Sequence, residues 1–412
     1  MVQRSLKRNA LRALPARSII DAIAAAARQW SDPDLPSRRR SARAIAERTG
    51  YSASVVDHAL HHLFEPITGT ALNQTIAAEL GSVDVLDGFV QRDGRPDTFA
   101  AAVGSVCLIA SRTTIGVTLL PAIYALCAKC DVMVKDREDH LIAAFFGTLA
   151  ERHEAFSDAA RAKTFSSEAS ELDIHEFDCV VAFGKDATLA RIRSACAPNA
   201  RFVGFGSRAS AGYITAGRTH DNGALTATLE GAARDFLLYD SEGCMSLHVL
   251  FVEEAAGGGR IAELFSAAVE RESLRFPIGT SDLEAVTRRA SVQRSAAFRA
   301  SMASQGVLSD ERSTHAIVFD PPRDEPPPFT PRSISVIPVH GPSDAASYLK
   351  RHRIALEAFA LSERRADLVD MAVEAGAVRL TRFGAMQQPP ASGNHGGRPR
   401  ILDFVRWIDR EL

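Results

Sequence analysis

The sequence predicts an α/β protein built on doubly wound parallel sheets, with a helical segment ahead of them. Three observations carry that expectation. Short, nearly continuous apolar runs recur along the chain, among them Ser105 to Ala110, Asp131 to Lys135, Cys179 to Phe183 and Arg201 to Phe205. Stretches of roughly ten to fifteen residues with helical spacing separate them. The runs lack the apolar–polar alternation of a half-exposed sheet, so both faces of their strands must be covered.

Residues from about Ala16 to Phe64 read as short helices joined by polar turns. Ser105 to Ala110 is the first buried strand, and a helix pattern follows from Gly116 to Lys129. Asp131 to Lys135 is the next strand, with helical spacing from Glu138 to Glu151. Cys179 to Phe183 ends at Gly184 and leads into a helix over Asp186 to Cys196, then the strand Arg201 to Phe205. A second block begins near Asp235. It holds a strand at Ser246 to Glu253, a helix after Gly257-Gly258-Gly259, and a strand at Ser333 to Val339. The proline-rich run Pro321 to Pro328 can be neither helix nor central strand and is expected to be a surface loop. No repeat of solenoid period is present.

At 412 residues the chain exceeds one ordinary core, so two or three domains are expected. A net charge of −2 gives no electrostatic case for nucleic acid or an anionic membrane. The six cysteines (Cys107, Cys127, Cys130, Cys179, Cys196 and Cys244) form no disulfide framework, as befits a reducing cytoplasm. Cys127-x-x-Cys130 has metal spacing but no second pair, and reads as core. The N-terminus is basic, and Asp21 and Arg28 interrupt any signal core, so an amphipathic first helix is expected over a transit peptide. The longest apolar stretch, Ile115 to Cys127, is too short to span a membrane and holds Pro121.

Cys244 is the leading chemical candidate. Gly243 lets the backbone bend, and buried-strand residues flank the turn, which suits a thiolate nucleophile at a loop. Taken alone, it could equally be a core cysteine. Lys135 closes a buried strand at the carboxyl edge, where open α/β sheets bind ligands. Gly184 and the run Gly206-Ser207-Arg208 mark turns where backbone can approach a dinucleotide, though neither is the GxGxxG fingerprint. Far downstream, Arg382-Phe383-Gly384-Ala385-Met386-Gln387 precedes His395-Gly396-Gly397 and the closing Leu402 to Asp409.

Taken together, these segments resemble the acyl-CoA reductases of the bacterial bioluminescence system, a branch of the aldehyde dehydrogenase superfamily. The resemblance runs from the helical N-terminus to a last helix, and implies an aldehyde dehydrogenase-like fold. Its parts would be a helical segment 1–75, a nicotinamide-cofactor domain 76–234, a catalytic-cysteine domain 235–380, and a segment 381–412 returning to the cofactor domain. It implies acyl thioester reduction to an aldehyde, with Cys244 as nucleophile and Lys135, Gly184, Gly206, Ser207 and Arg208 on the cofactor side. Arg208 would meet a 2′-phosphate, hence NADPH. His395 would be a general acid or thioester contact; physically it could also be a loop histidine. The implied partners are an acyl-CoA or acyl-carrier substrate, an acyl-activating enzyme and a second copy of the chain. One departure matters. The family's oxyanion-donating asparagine is replaced in Ser111-Arg112-Thr113-Thr114, where Thr113 is the remaining donor beside the Cys244 N–H.

Two other readings stay open. A non-catalytic acyl-binding relative would tolerate the missing asparagine. Ala44 to Leu60, with Gly50 in the turn and Arg38-Arg39-Arg40 before it, has the pattern of a DNA-reading helix-turn-helix. His58, His61 and His62 share a short helix with no third ligand type recognised, and are expected to be a solvated face, so no metal is expected.

Overall fold

The protein is described by a computed structural model over residues 10–92, 94–111, 114–136, 140–164, 174–280, 283–301, 306–310, 312, 314–321 and 323–412. The chain opens with α1 (Ala16–Ser31), α2 (Pro36–Thr49), α3 (Ala53–Phe64) and α4 (Gly69–Leu80). Then follow β1 (Val90–Arg92), β2 (Arg95–Ala102), β3 (Ser105–Ile109), α5 (Leu119–Cys127), β4 (Asp131–Asp136), α6 (Leu141–Arg152), α7 (Ala155–Ala159) and β5 (Ala160–Thr164). Next come β6 (Cys179–Phe183), α8 (Asp186–Ala195), β7 (Arg201–Phe205), β8 (Ala209–Ile214), α9 (Asn222–Leu237), β9 (Leu247–Glu253), α10 (Gly258–Arg275) and α11 (Leu283–Ala300). The remainder is β10 (Gly306–Leu308), β11 (Ala316–Phe319), β12 (Ser333–Val339), α12 (Pro342–Arg351), β13 (Leu356–Leu361), α13 (Ala366–Glu374), β14 (Arg379–Arg382) and β15 (Val405–Arg410).

Two compact units result. The first comprises Met1–Thr49, Val56–Gly206 and Pro390–Leu412; the second comprises Gly50–Val55 and Ser207–Pro389. The expected boundary at 234 therefore moves to 206, because β8 pairs in parallel with β9 and β13 and so belongs to the second sheet.

In the first unit, five parallel strands lie in the order β5-β4-β3-β6-β7. The chain winds from β3 through β4 to β5, then returns to the other side of β3 for β6 and β7. Strand order thus reverses between β3 and β6, and the carboxyl ends of those two strands flank the crevice such sheets use for ligands. Every residue of β6 is buried, which accounts for its unbroken apolar run. Helix α5 covers the sheet with Leu119, Ile123 and Leu126 fully buried, each contributing about 1.5–3 kcal/mol. Trp30 of α1 packs on Phe64 and Phe145, and its indole N–H donates to Thr148 Oγ1 at 3.0 Å. A separate three-stranded antiparallel sheet joins β1, β2 and β15. The last helix expected near the C-terminus is replaced by β15, whose residues pair in register from Val405↔Ala102 to Arg410↔Asp97.

The second unit holds a seven-stranded sheet, β10-β11-β12-β9-β8-β13-β14, parallel except for β10. All seven residues of β9 are buried at its centre. Two glycines lock α9 to the segment after β14. A Cβ on Gly231 would meet the Gly384 N and Phe383 C atoms at 2.8 Å, and Gly384 has φ +82°.

Arg38 is buried and donates to the Asp57 carbonyl at 3.4 Å, so it is withdrawn from any phosphate. Gly50 accepts from the Thr280 N–H, and buried Tyr51 donates to Glu242 at 3.3 Å. Among the described residues, no helix is long and apolar enough to cross a membrane.

Candidate active site

Cys244 lies between α9 and β9, and the chain reaches it through a strained turn. Tyr239, Asp240 and Ser241 have φ of 55°, 49° and 61°. None is glycine, so each costs about 1–2 kcal/mol and must be held by its surroundings. Arg332 does most of this. Fully buried, it donates through Nε to Asp240 Oδ1 at 2.7 Å and through Nη2 to the Phe276 carbonyl at 2.9 Å. Its backbone N–H adds a 3.0 Å bond to the Asp240 carbonyl. Ser241 Oγ donates to the Phe236 carbonyl at 2.6 Å, and the Tyr239 ring meets that of Tyr51 edge-on.

His248 completes the clamp. Its Nδ1 accepts the Ser210 N–H at 3.4 Å, which leaves Nε2 to donate to the Ser241 carbonyl at 3.1 Å. Burial pushes its pKa down to about 4, so the ring stays neutral and acts as a brace. Ser210 Oγ donates to the Cys244 carbonyl at 2.7 Å and accepts the Ala358 N–H at 3.0 Å, tying β8 and β13 to the cysteine.

Cys244 is partly exposed as a residue, while its thiol is enclosed. The backbone N–H groups of Cys244 and Met245 favour the anion of the thiol, as does Arg208. Burial outweighs them, and the Glu357 carboxylate adds to it, so the thiol is pushed up to about 12. With no substrate bound, Cys244 is therefore protonated at neutral pH.

Asp235 of α9 accepts N–H bonds from Gly384 at 2.6 Å and Met386 at 3.1 Å. Burial nevertheless raises its pKa to about 7. Gln387 donates to Ser246 Oγ at 2.8 Å, and Arg379 donates to the Ala385 and Met386 carbonyls. The segment 384–387 is thereby fixed to the turn that carries Cys244. Ser210, Glu357, Arg332 and Arg379 all stand at or just before the amino ends of strands, so the cysteine site gathers at the amino edge of the second sheet.

The expected cofactor residues divide between the two units. In the first, Lys135 is the penultimate residue of β4, half-buried, in register with Ile109 and through it with Ala182. Gly184 follows β6 directly, and a Cβ there would meet nothing closer than Thr188 at 3.9 Å. Both stand at the carboxyl ends beside the switch point, a cation and an open backbone turn that suit a nucleotide. Gly206 has another reason to be glycine, since a Cβ would strike Asp186 Oδ1 at 2.3 Å. Ser207 and Arg208 belong to the second unit. Ser207 is exposed, while Arg208 lies 3.7 Å from Glu357 and donates to the Leu356 carbonyl at 3.2 Å. The charge expected to meet a 2′-phosphate is thus engaged beside the thiol.

His395 belongs to the first unit. It stacks on Phe205 at 4.5 Å and on Phe183 at 5.4 Å, and those rings stack on each other at 4.7 Å. Burial, reinforced by Arg400, lowers its pKa to about 3, so it is a neutral packing ring and a poor general acid. Thr113 lies outside the described residues.

The second-unit residues around Cys244 were not legible in the sequence. Ser210, Glu357 and Arg332 are brought together by strand order, and Asp235 by the bonds of α9 to Gly384 and Met386. A histidine inside the apolar run of β9 was the one local signal, since a buried His requires partners.

The sequence matches the family described as acyl-CoA reductase (LuxC) over residues 11–407. No curated protein matches the chain. Among solved structures, it is similar to aldehyde dehydrogenase 21 from Physcomitrella patens, with 12% identity, 97% of this chain and 86% of that one covered, and a TM-score of 0.73. An NAD-dependent benzaldehyde dehydrogenase from Corynebacterium glutamicum is similar at 16% identity, 98% and 87% coverage, and a TM-score of 0.69. The methylmalonate-semialdehyde dehydrogenase of Oceanimonas doudoroffii gives 14% identity, 97% and 86% coverage, and a TM-score of 0.73. These likenesses establish the fold.

Proposed function

The chain belongs to the acyl-CoA reductase (LuxC) family, and from that premise we propose that it reduces a fatty acyl-CoA thioester to the aldehyde through an acyl-Cys244 intermediate. The carrying observation is the braced turn that presents Cys244, with Arg332 on Asp240, His248 on the Ser241 carbonyl and Ser210 Oγ on the Cys244 carbonyl itself. A strained conformation held by a buried arginine, a buried histidine and Ser210 has a cost, and a nucleophile that must be placed accurately accounts for it.

Because the thiol is protonated at rest, its proton must leave as the sulfur attacks. We assign the proton to Glu357, which precedes the Ala358 whose N–H bonds the Ser210 Oγ that also holds the Cys244 carbonyl. The new bond joins Sγ to the carbonyl carbon, and the bond from that carbon to the CoA sulfur breaks. The departing CoA thiolate takes up that proton from Glu357, which returns to its carboxylate. During attack the N–H groups of Cys244 and Met245 can donate to the developing oxyanion. A nicotinamide cofactor, when bound, supplies the hydride that makes the acyl group an aldehyde. The C–S bond to Cys244 then breaks to release the aldehyde, and the thiolate left behind takes a proton from solvent to recover its thiol. Lys135 and Gly184 are assigned to holding that cofactor. NADPH is proposed as donor on the strength of the family resemblance, while Arg208, paired with Glu357, is not assigned to its phosphate.

The test is acylation of the purified protein by radiolabelled acyl-CoA of several chain lengths. Wild type should take up one acyl group per chain and Cys244→Ala none. Equal labelling of Cys244→Ala would remove the assignment. Lys135→Ala should keep acylation intact while raising KM for the cofactor. The high thiol pKa favours a second reading, a non-catalytic acyl binder, for which saturable acyl-CoA binding would occur without covalent label.

A further inference from the structure

Outside the residues assigned above, three side chains at the end of α3 converge on one point. Glu65 follows the last residue of α3, and its N–H still bonds the His61 carbonyl at 3.0 Å. The helical turn therefore continues through it. Glu65 stands four residues after His61 and three after His62, spacings that put side chains on one side of a helix. Its Oε2 lies 3.4 Å from His61 Nε2 and 3.8 Å from His62 Nδ1. All three candidate ligand atoms lie within 4.8 Å of one another. A tetrahedral ion with bonds of about 2.0–2.1 Å spaces its ligands about 3.3–3.4 Å apart. Of the three pairs, His61–Glu65 at 3.4 Å already has that spacing, His62–Glu65 at 3.8 Å is 0.4 Å wider, and His61–His62 lies within 4.8 Å, a gap that side-chain rotation closes.

We propose that His61, His62 and Glu65 bind a divalent transition-metal ion of the zinc type, with water in the remaining position. Two imidazoles and one carboxylate are the donors of zinc, nickel or cobalt; calcium and magnesium prefer oxygen throughout. His61 and Glu65 are exposed and His62 is half-buried, so an ion can enter from solvent without any rearrangement of the fold. The His62 ring is backed edge-on by His58 at 4.3 Å, which limits its rotation. Histidines alone suggested no site in the sequence; the carboxylate three and four residues on supplies the third ligand. Occupancy would pin the last turn of α3 and stabilise the folded chain, since the unfolded chain does not hold these groups together.

The experiment titrates the full-length protein, stripped with chelator and desalted, with zinc chloride against a chromophoric competitor. One saturable equivalent is expected, weakened about tenfold or more in His61→Ala, His62→Ala and Glu65→Gln, because losing a ligand costs at least what outer-shell changes cost. Cys244→Ala should bind zinc like wild type, separating this site from thiol capture. Absence of saturable binding, or equal affinity in all three site variants, would overturn the proposal. Loss of the equivalent in Cys244→Ala alone would do so as well.

Discussion

Replacing Arg332 by Met tests the claim that Cys244 is positioned by a strained, clamped turn. The three left-handed residues Tyr239, Asp240 and Ser241 together cost about 3–6 kcal/mol at 1–2 each. The charge on Arg332 offsets part of that by pairing with Asp240 at 2.7 Å, in a setting where the arginine has no exposed surface. Removing one partner of a buried pair costs about 3–5 kcal/mol, since the carboxylate stays behind uncompensated. At about 2–4 °C per kcal/mol for a unit of this size, the transition of the second unit should fall by roughly 6–20 °C. Arg332→Lys should recover little, because an ammonium cannot serve Asp240 and the Phe276 carbonyl as a fork does. The assay pairs thermal unfolding with the rate of Cys244 alkylation by iodoacetamide, read by mass spectrometry. Alkylation should lose its single rate as the turn relaxes. A shift under 2 °C with an unchanged alkylation rate would refute the reasoning.

Further predictions concern Cys244, Gly231 and His395. Cys244 alkylation in the substrate-free protein should climb about tenfold per pH unit from pH 7 to 10, since the protonated form is favoured up to about 12; a plateau near pH 8 would contradict this. By the same sign, the raised thiol pKa lowers stability as pH rises from about 9 toward 12. Gly231→Ala should destabilise the second unit, because the added methyl meets backbone of Phe383 and Gly384 that cannot move aside; unchanged melting would show that the α9 contact is looser than described. His395→Phe should keep the ring stack and leave the pH dependence of activity unchanged between pH 5 and 8, as the imidazole is neutral throughout; loss of an ionisation from the profile would restore it as an acid.

Much of the fold was legible where strands are buried on both faces. β6 and β12 begin and end where their apolar runs do, because only such runs can sit inside a covered sheet. The boundary between units was less legible. The strand β8 carries Ser210 and Gly212, and its allegiance is decided by pairing with β9 and β13. Residues 405–410 carry no helix stop signal and become a strand only because β2 offers an antiparallel partner. Of the site, Cys244 was visible because Gly243 and flanking apolar runs mark it locally. Arg208 was visible as a charge but not as a partner of Glu357, which lies 149 residues further along the chain and reaches it through the β8–β13 pairing. Arg332 and His248 could not be recognised as braces, because what they hold is a backbone conformation that the sequence does not display.

The central claim, thioester reduction through Cys244, is tested most directly by following NADPH oxidation by the purified protein across acyl-CoAs from short to long. Thioester-dependent oxidation with aldehyde release, lost in Cys244→Ala, is the predicted result. No oxidation with any acyl-CoA by folded protein, or oxidation that survives Cys244→Ala, would contradict it.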